Sequence, residues 1–170
     1  EVAPKAMQYT LMAGRRAARV YANDQAITHY ETARALAEEL GADAERIAAI
    51  EGLADVHALQ AEWEEASRLY QEALTYHQQK GDAVRQARMQ SRIGSTFSGV
   101  FDFRQALPHI QSAMDTLKAK KDEQELTGVY VQMARTQTYL GNFAQAEEYA
   151  RAGLALAERH DMLPQAAEAQ

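Results

Sequence analysis

The sequence repeats with a period of 40 residues, and this period limits the chain to a series of similar structural units. At this offset alanine occupies the same place four times, at Ala26, Ala66, Ala106 and Ala146. Two further columns hold only small residues, which are Gly14, Ala54, Gly94 and Ala134 in one and Ala33, Ala73, Ala113 and Gly153 in the other. Agreement of several columns in one frame indicates four copies of one unit.

Each repeat has the pattern of two amphipathic helices. In the second repeat, apolar and small residues recur every three or four positions from Ile47 to Leu53, and again from Trp63 to Ala73. The same spacing in the other repeats predicts an all-α chain. The predicted helices cover residues 5–21, 24–40, 43–60, 63–79, 83–99, 102–119, 122–140 and 143–160.

The turn residues support these boundaries. Gly41 and Gly81 lie between repeats, where glycine suits a helix C-terminus. Candidate N-cap residues stand in the turns inside repeats, and these are Asn23, Asp102 and Asn142. Pro108 falls inside the sixth helix and predicts a bend there, because proline removes one helical hydrogen bond.

The small columns predict places where two helices cross closely. We expect Ala66 and Ala106 to lie at such crossings, since a larger side chain would force the helices apart. Aromatic residues at Trp63, Phe103 and Phe143 are then expected to fill the space beside the turns.

The predicted organisation is one repeat domain over residues 1–170, with repeats at 5–40, 43–79, 83–119 and 122–160. Residues 163–170 resemble the opening of a truncated fifth repeat, so we expect a fragment of a larger protein. The last helix should then expose Leu154 and Leu156, and exposed apolar repeat ends favour self-association.

Composition excludes several classes of function. The formal net charge of −6 disfavours direct binding to nucleic acid. No apolar run approaches the roughly 18 to 20 residues of a membrane span. The absence of cysteine excludes disulfides and thiolate metal sites and fits a cytoplasmic protein.

The pattern resembles the tetratricopeptide repeat. That family's first helix carries a large apolar residue followed by a small one, as in Leu53-Ala54 and Ile93-Gly94. Its second helix spaces aromatic, alanine, aromatic and alanine as do Trp63, Ala66, Tyr70 and Ala73. The 40-residue unit here is longer than the common one of about 34. The resemblance implies a right-handed superhelical stack of antiparallel helical hairpins that binds protein or peptide partners.

A narrower resemblance concerns residues 13–33, which begin Ala-Gly-Arg-Arg-Ala-Ala-Arg-Val-Tyr. This stretch is similar to the first repeats behind the nucleotide-binding switch domain of large bacterial regulators, including cyclase-linked ATPases and multidomain transcription activators. It implies that the chain belongs to a larger signalling or regulatory protein.

No catalytic residue, metal site or cofactor is predicted. The histidines do not occur in pairs at metal-binding spacing, and no nucleophile, base and orienting group cluster together. The stretch Gly94-Ser-Thr-Phe-Ser-Gly99 lacks the lysine and hydroxyl residue of a phosphate-binding loop.

A polar stripe on the fifth helix is the candidate binding site. Helical spacing places Arg88, Ser91, Ser95 and Ser98 on the face expected to line the concave surface. Neighbouring first helices are expected to supply acidic residues on one side and basic or aromatic residues on the other, namely Glu51, Asp55, Arg135 and Tyr139, with Arg15 and Arg19 farther away. The alternative interpretation of this stripe is a merely solvated groove.

The leading functional hypothesis is a non-catalytic interaction scaffold that binds a peptide or partner domain in its concave groove. The alternative is a domain that senses a small-molecule effector and shifts neighbouring domains. An enzyme is the third and most distant hypothesis.

Overall fold

The computed structural model describes residues 2–160, and this part of the chain is helical with short turns and no strand. Its eight helices confirm the predicted all-α repeat fold, and α1 begins three residues before the predicted residue 5. The helices are α1 Val2–Arg19, α2 Asn23–Glu39, α3 Asp43–Leu59, α4 Trp63–Lys80, α5 Ala83–Gly99, α6 Phe103–Lys120, α7 Glu123–Tyr139 and α8 Phe143–Arg159. Helix α6 continues through Pro108. The predicted opening of a fifth repeat at 163–170 lies outside the described residues.

The helices end at residues in the left-handed backbone conformation, spaced every 20 residues. These residues are Tyr21, Gly41, Ala61, Gly81, Phe101, Lys121 and Gly141. At the third internal turn, Phe101 N donates to Ser98 O at 3.1 Å and Asp102 N donates to Phe97 O at 2.9 Å. This pair of bonds satisfies carbonyls at the end of α5. Four of the seven positions hold a side chain where glycine is favoured, so glycine alone did not reveal this spacing.

Aspartate caps the helices α5, α6 and α7. The carboxylates of Asp82, Asp102 and Asp122 each accept a hydrogen bond at 3.1 Å from a backbone N–H three residues later. The predicted cap at Asp102 is therefore confirmed. Asn142 stands at the N-cap of α8, but its side chain donates to Gln137 Oε1 at 2.8 Å instead of capping the helix. Asn23 is the first residue inside α2 rather than its cap.

The chain divides into two compact units, Glu1–Gly81 and Asp82–Gln170. In unit 1, consecutive helices from α1 to α4 pack on one another, and α1 also contacts α3. Tyr30 of α2 fills the space between these first helices. A Cβ atom added at Gly14 would lie 2.8 Å from the Tyr30 ring, and one added at Gly52 would overlap it as well. Glycine at both positions is thus required by the tyrosine.

Unit 2 repeats this arrangement with α5 to α8, and α5 also contacts α7. Its core contains Ala106, Ile110 and Met114 of α6 together with Val129 of α7. A Cβ atom at Gly94 would lie 2.6 Å from Ile110 and 3.3 Å from the Ala106 carbonyl oxygen. The small columns therefore do mark close helix crossings, and both Ala66 and Ala106 are fully buried.

The last hairpin, α7–α8, departs from the expectations in two places. Leu154 is exposed as predicted, but Leu156 is buried because it joins the core cluster of unit 2. Phe143 was expected to fill space beside its turn and is instead exposed. Its equivalent Phe103 stacks on Tyr139 of the following hairpin, and within residues 2–160 no helix follows α8 to do the same for Phe143.

Candidate functional site

The predicted groove residues fall into two sets, one in each unit. Unit 1 holds Arg15 and Arg19 on α1 and Glu51 and Asp55 on α3. The acidic pair was expected to form one side of the groove. Instead, Glu51 Oε1 lies 2.7 Å from Nε2 of His77, whose side chain is buried. Glu51 thus connects α3 to α4. The two residues lie 26 apart, so no helical spacing indicates this contact.

Asp55 and the two arginines of unit 1 surround buried tyrosines. The Tyr70 hydroxyl donates to Asp55 Oδ1 at 2.6 Å. Burial raises the pKa of Tyr30, the charge of Asp55 acts in the same direction, and the charges of Arg15 and Arg19 oppose it. The charges of Arg15, Arg19 and Asp55 therefore all act on Tyr30 within unit 1.

Unit 2 holds the rest of the predicted site on the exposed side of α5 and α7. We define the α5–α7 face by Arg88, Ser91, Ser95, Arg135 and Tyr139. At the beginning of these helices, Arg88 of α5 forms an ion pair with Glu125 of α7. Halfway along, Ser91 Oγ donates to Gln132 Oε1 at 2.9 Å. These bonds tie the two first helices together along the predicted stripe.

The three serines of the predicted stripe differ in exposure. Ser91 and Ser98 are buried, and Ser95 is half-buried. The Ser98 hydroxyl donates to the Gly94 carbonyl oxygen at 3.0 Å, a bond that satisfies it within its own helix. Two of the three serines are therefore buried, and Ser91 also connects α5 to α7.

Arg135 is the exposed cation of the α5–α7 face. It makes no hydrogen bond or ion pair with other residues of the described range 2–160. Tyr139 follows it four residues later, so the two side chains share one side of α7.

Tyr139 belongs to a cluster of aromatic side chains at the end of this face. Its ring stacks on Phe103 with centroids 4.2 Å apart, and Phe101 meets it edge-on at 6.4 Å. These rings border a surface cleft of about 530 Å³, here called the aromatic cleft. It is lined by Val100, Phe101, Asp102, Phe103, Arg104, Tyr139 and Leu140.

Phe101 and Arg104 were missed by the sequence analysis. The sequence feature that could have indicated Phe101 is the apolar pair Val100-Phe101, which stands at a turn where the next repeat has Leu140-Gly141. Phe101 is 74% exposed and holds a φ of 61°. Its ring makes edge-on contacts with Phe103 and Tyr139, but most of this large apolar side chain faces solvent at a backbone conformation that favours glycine.

Two titratable groups of unit 2 have shifted pKa values. Burial lowers the pKa of His109, which stacks on Phe97 with centroids 5.4 Å apart and has Nδ1 2.7 Å from Gln90 Oε1. A hydrogen bond with His160 lowers the pKa of Glu123, and Arg159 adds to this effect. Neither group lies in the aromatic cleft. Among the described residues, no three histidine, aspartate or glutamate side chains are grouped to hold a metal ion.

The fold and the period define the class of protein, a helical-repeat protein built from antiparallel hairpins. A family model described as the tetratricopeptide repeat matches residues 46–119, the second and third repeats of the chain. Curated protein sequences give no match to the chain. None of the helices described within residues 2–160 has both the length and the apolar character needed to cross a membrane.

Solved structures share the fold at low sequence identity. Aspartyl phosphate phosphatase F from Bacillus subtilis has a TM-score of 0.87 at 15% identity, over 95% of this chain and 42% of that one. A Rap protein complexed with competence and sporulation factor has a TM-score of 0.82 at 18% identity, over 92% and 44%. The TPR-like repeats of a putative kinesin light chain from Podosopora anserina have a TM-score of 0.73 at 13% identity, over 92% and 77%. The chain spans less than half of the first two proteins.

Proposed function

We propose that the chain is a non-catalytic interaction scaffold, and that unit 2 binds a segment of another protein along the α5–α7 face and into the aromatic cleft. The single observation that carries this proposal is the aromatic cluster in which the exposed Phe101 and Tyr139 pack against the buried Phe103. Exposed aromatic rings beside an open cleft are typical of protein recognition surfaces, where they supply contact area with little loss of side-chain entropy.

The backbone at Phe101 supports this role. A side chain in the left-handed conformation costs about 1 kcal/mol relative to glycine, and the equivalent residue of the next repeat is Gly141. The free protein therefore carries a small cost at Phe101. Contact between the ring and a partner would offset that cost.

The charges indicate the chemistry of the partner. Arg135 lies one helical turn before Tyr139, and Arg104 lines the aromatic cleft itself. We infer that the bound segment places an apolar or aromatic side chain in the cleft and an acidic group near Arg135, where a charge-assisted hydrogen bond can form.

The wider setting is also proposed. One structural neighbour was solved with competence and sporulation factor bound, which shows that a protein of this fold can bind a regulatory factor. Together with the absence of cysteine, this favours a larger cytoplasmic regulatory protein as the setting of these repeats. The phosphatase activity named for another neighbour concerns a protein of which this chain covers 42%, and no residue here argues for it.

Sensing of a small-molecule effector is the second candidate function. The volume of the aromatic cleft, about 530 Å³, lies in the range of small-molecule pockets. The cleft is open at the surface, however, whereas small-molecule sites enclose most of their ligand. This geometry favours a peptide over an effector.

The test selects binding peptides from a displayed random library, with the whole chain as the target. Calorimetry then compares the chain with Phe101→Gly, and with Tyr21→Gly as the control at the matching left-handed turn of unit 1. We expect Phe101→Gly to weaken binding about tenfold or more and Tyr21→Gly to leave it unchanged. Arg135→Ala should weaken an acidic peptide by about 1–3 kcal/mol.

Two outcomes would refute this function. Selected peptides that bind Phe101→Gly and Arg135→Ala as tightly as the parent would place the binding surface elsewhere. A metabolite that stabilises the chain against heating, with no peptide selected, would favour the effector-sensing role.

A further inference from the structure

The last hairpin carries an apolar groove that has an equivalent elsewhere in unit 2. The groove of about 280 Å³ lies between α7 and α8 and is here called the end groove. It is lined by Thr127, Val131, Ala134, Ala150, Gly153, Leu154 and Ala157. Val131 is 60% exposed and Leu154 is 50% exposed, so two large apolar side chains face solvent there.

A shift of 40 residues shows what normally covers such a groove. The equivalent positions in α5–α6 are Ala87, Ser91, Gly94, Ile110, Ala113, Met114 and Leu117, and all of them are buried. Helix α7 covers them: Leu126 and Val129 complete their core cluster, and Gln132 bonds to Ser91. The cover is thus one amphipathic helix, with contact residues at a spacing of three.

Helix α1 has an uncovered face in the same register. A shift of 120 residues, three repeats, relates Leu126, Val129 and Gln132 of α7 to the residues Ala6, Tyr9 and Met12. Tyr9 is 71% exposed and Met12 is 64% exposed. A shallow groove of about 320 Å³ on this face is lined by Val2, Lys5, Ala6 and Tyr9.

The two faces also match in chemistry. Inside unit 2, a polar pair, Ser91 and Gln132, joins the first helices α5 and α7. The equivalent pair between α7 and α1 would be Val131 and Met12, which are both apolar and both exposed.

We propose that the end groove binds α1 of a second copy of this chain, so that the 40-residue period continues from one molecule into the next. Ala6, Tyr9 and Met12 of one copy then cover Val131 and Leu154 of the other. Within unit 2, residues of α7 cover the equivalent positions of α5–α6 in the same way. The contact joins two different surfaces, so each copy keeps one groove and one α1 face for further copies. The association uses the end groove, whereas the proposed peptide binding uses the α5–α7 face and the aromatic cleft.

Sedimentation equilibrium of the whole chain tests the proposal. The mass of the parent chain should rise with concentration above the monomer mass of 18.9 kDa. Tyr9→Lys and Leu154→Lys should each weaken association about tenfold or more, because each removes an apolar contact and places a charge in it. The matched controls are Tyr21→Lys and Leu59→Lys, equally exposed residues outside the two faces. Both should associate as the parent does, and thermal unfolding should show all four variants folded.

Mixing the two disrupted variants is the decisive step. Tyr9→Lys retains a good groove and Leu154→Lys retains a good α1, so an equimolar mixture should associate again and stop at a dimer. Persistent association of Tyr9→Lys alone would overturn the proposal, since it would show groove-to-groove or another contact. A parent chain that stays monomeric at every concentration also overturns it and leaves residues 161–170 or a different protein as occupants of the groove.

Discussion

The two hairpins of unit 2 contain helices of similar length, but the side chains at equivalent positions differ in exposure. Hairpin α5–α6 buries Ser91 to 7%, while hairpin α7–α8 leaves the equivalent Val131 60% exposed. The polar residue is inside and the apolar one outside, which reverses the usual preference. Met114 and Leu154 differ in the same way. In a repeat protein, burial therefore depends on whether a following hairpin covers the position, and residue type is a weaker guide.

The largest expected effect tests this comparison directly with truncation. Met114→Ala should destabilise the chain by about 2–5 kcal/mol, because it leaves a cavity in a filled core. Leu154→Ala at the equivalent position should change the free energy of unfolding by less than about 0.5 kcal/mol, since its neighbourhood is open. Urea denaturation of both variants gives the comparison. Equal losses would mean that another surface covers Leu154.

Enlargement gives the second comparison. Ala106→Leu should cost about 1–3 kcal/mol, because Ala106 is fully buried beside Gly94. Ala150→Leu, in the exposed end groove, should cost less than about 0.5 kcal/mol. Ala66→Leu in unit 1 should behave as Ala106→Leu does, and Glu64→Ala serves as an exposed control. If Ala106→Leu unfolds at the parent midpoint, the helix crossing is looser than the distances indicate.

The turns of the two hairpins give the third comparison. Gly141→Ala should cost about 1 kcal/mol, since it puts a side chain at a φ of 82°. Phe101→Gly should leave stability within about 0.5 kcal/mol of the parent. Relief of the same strain offsets the loss of edge-on contacts with Phe103 and Tyr139, worth about 0.5–1.5 kcal/mol. A large loss in Phe101→Gly would show that the ring is needed for folding and weaken its assignment to binding.

The smallest expected effect is the pH dependence. Burial lowers the pKa of His109 in the folded state below its ordinary value of 6.5, so its unfolded state binds the proton more readily. Stability should therefore fall as pH drops below about 6.5, and His109→Gln should flatten that part of the profile. Thermal unfolding between neutral and mildly acidic pH measures it. An unchanged slope would indicate that His109 is hydrated in the folded protein.

Glu123 in the last hairpin supplies the contrasting pH range. Its pKa is lowered below 4.5 by His160 first and then Arg159, so its contribution is present above that value and is lost as pH falls below it. Glu123→Gln should remove this contribution at higher pH and flatten the slope of stability against pH only in the more acidic range.

The fold was predictable because the 40-residue columns report backbone geometry. Glycine or alanine recurs wherever helices cross, so Gly94 and Ala106 could be placed before any contact was known. The binding surface was less predictable. Ser98 satisfies its hydroxyl within its own helix, and Glu51 turns to His77, a contact between residues 26 apart that no local spacing reveals. Phe101 was missed because its exposure depends on the left-handed backbone conformation at this residue, which the sequence does not reveal.

The left-handed residue every 20 positions has a consequence for how such chains change length during evolution. Cutting the gene at two of these positions 40 residues apart and rejoining it places a helix end directly before a helix start, as in every existing turn. Unequal recombination at these points therefore removes or adds a whole hairpin without creating a new type of junction. Phe101 and Gly141 are interchangeable as junctions in this sense, although only Phe101 carries an aromatic ring into the aromatic cleft.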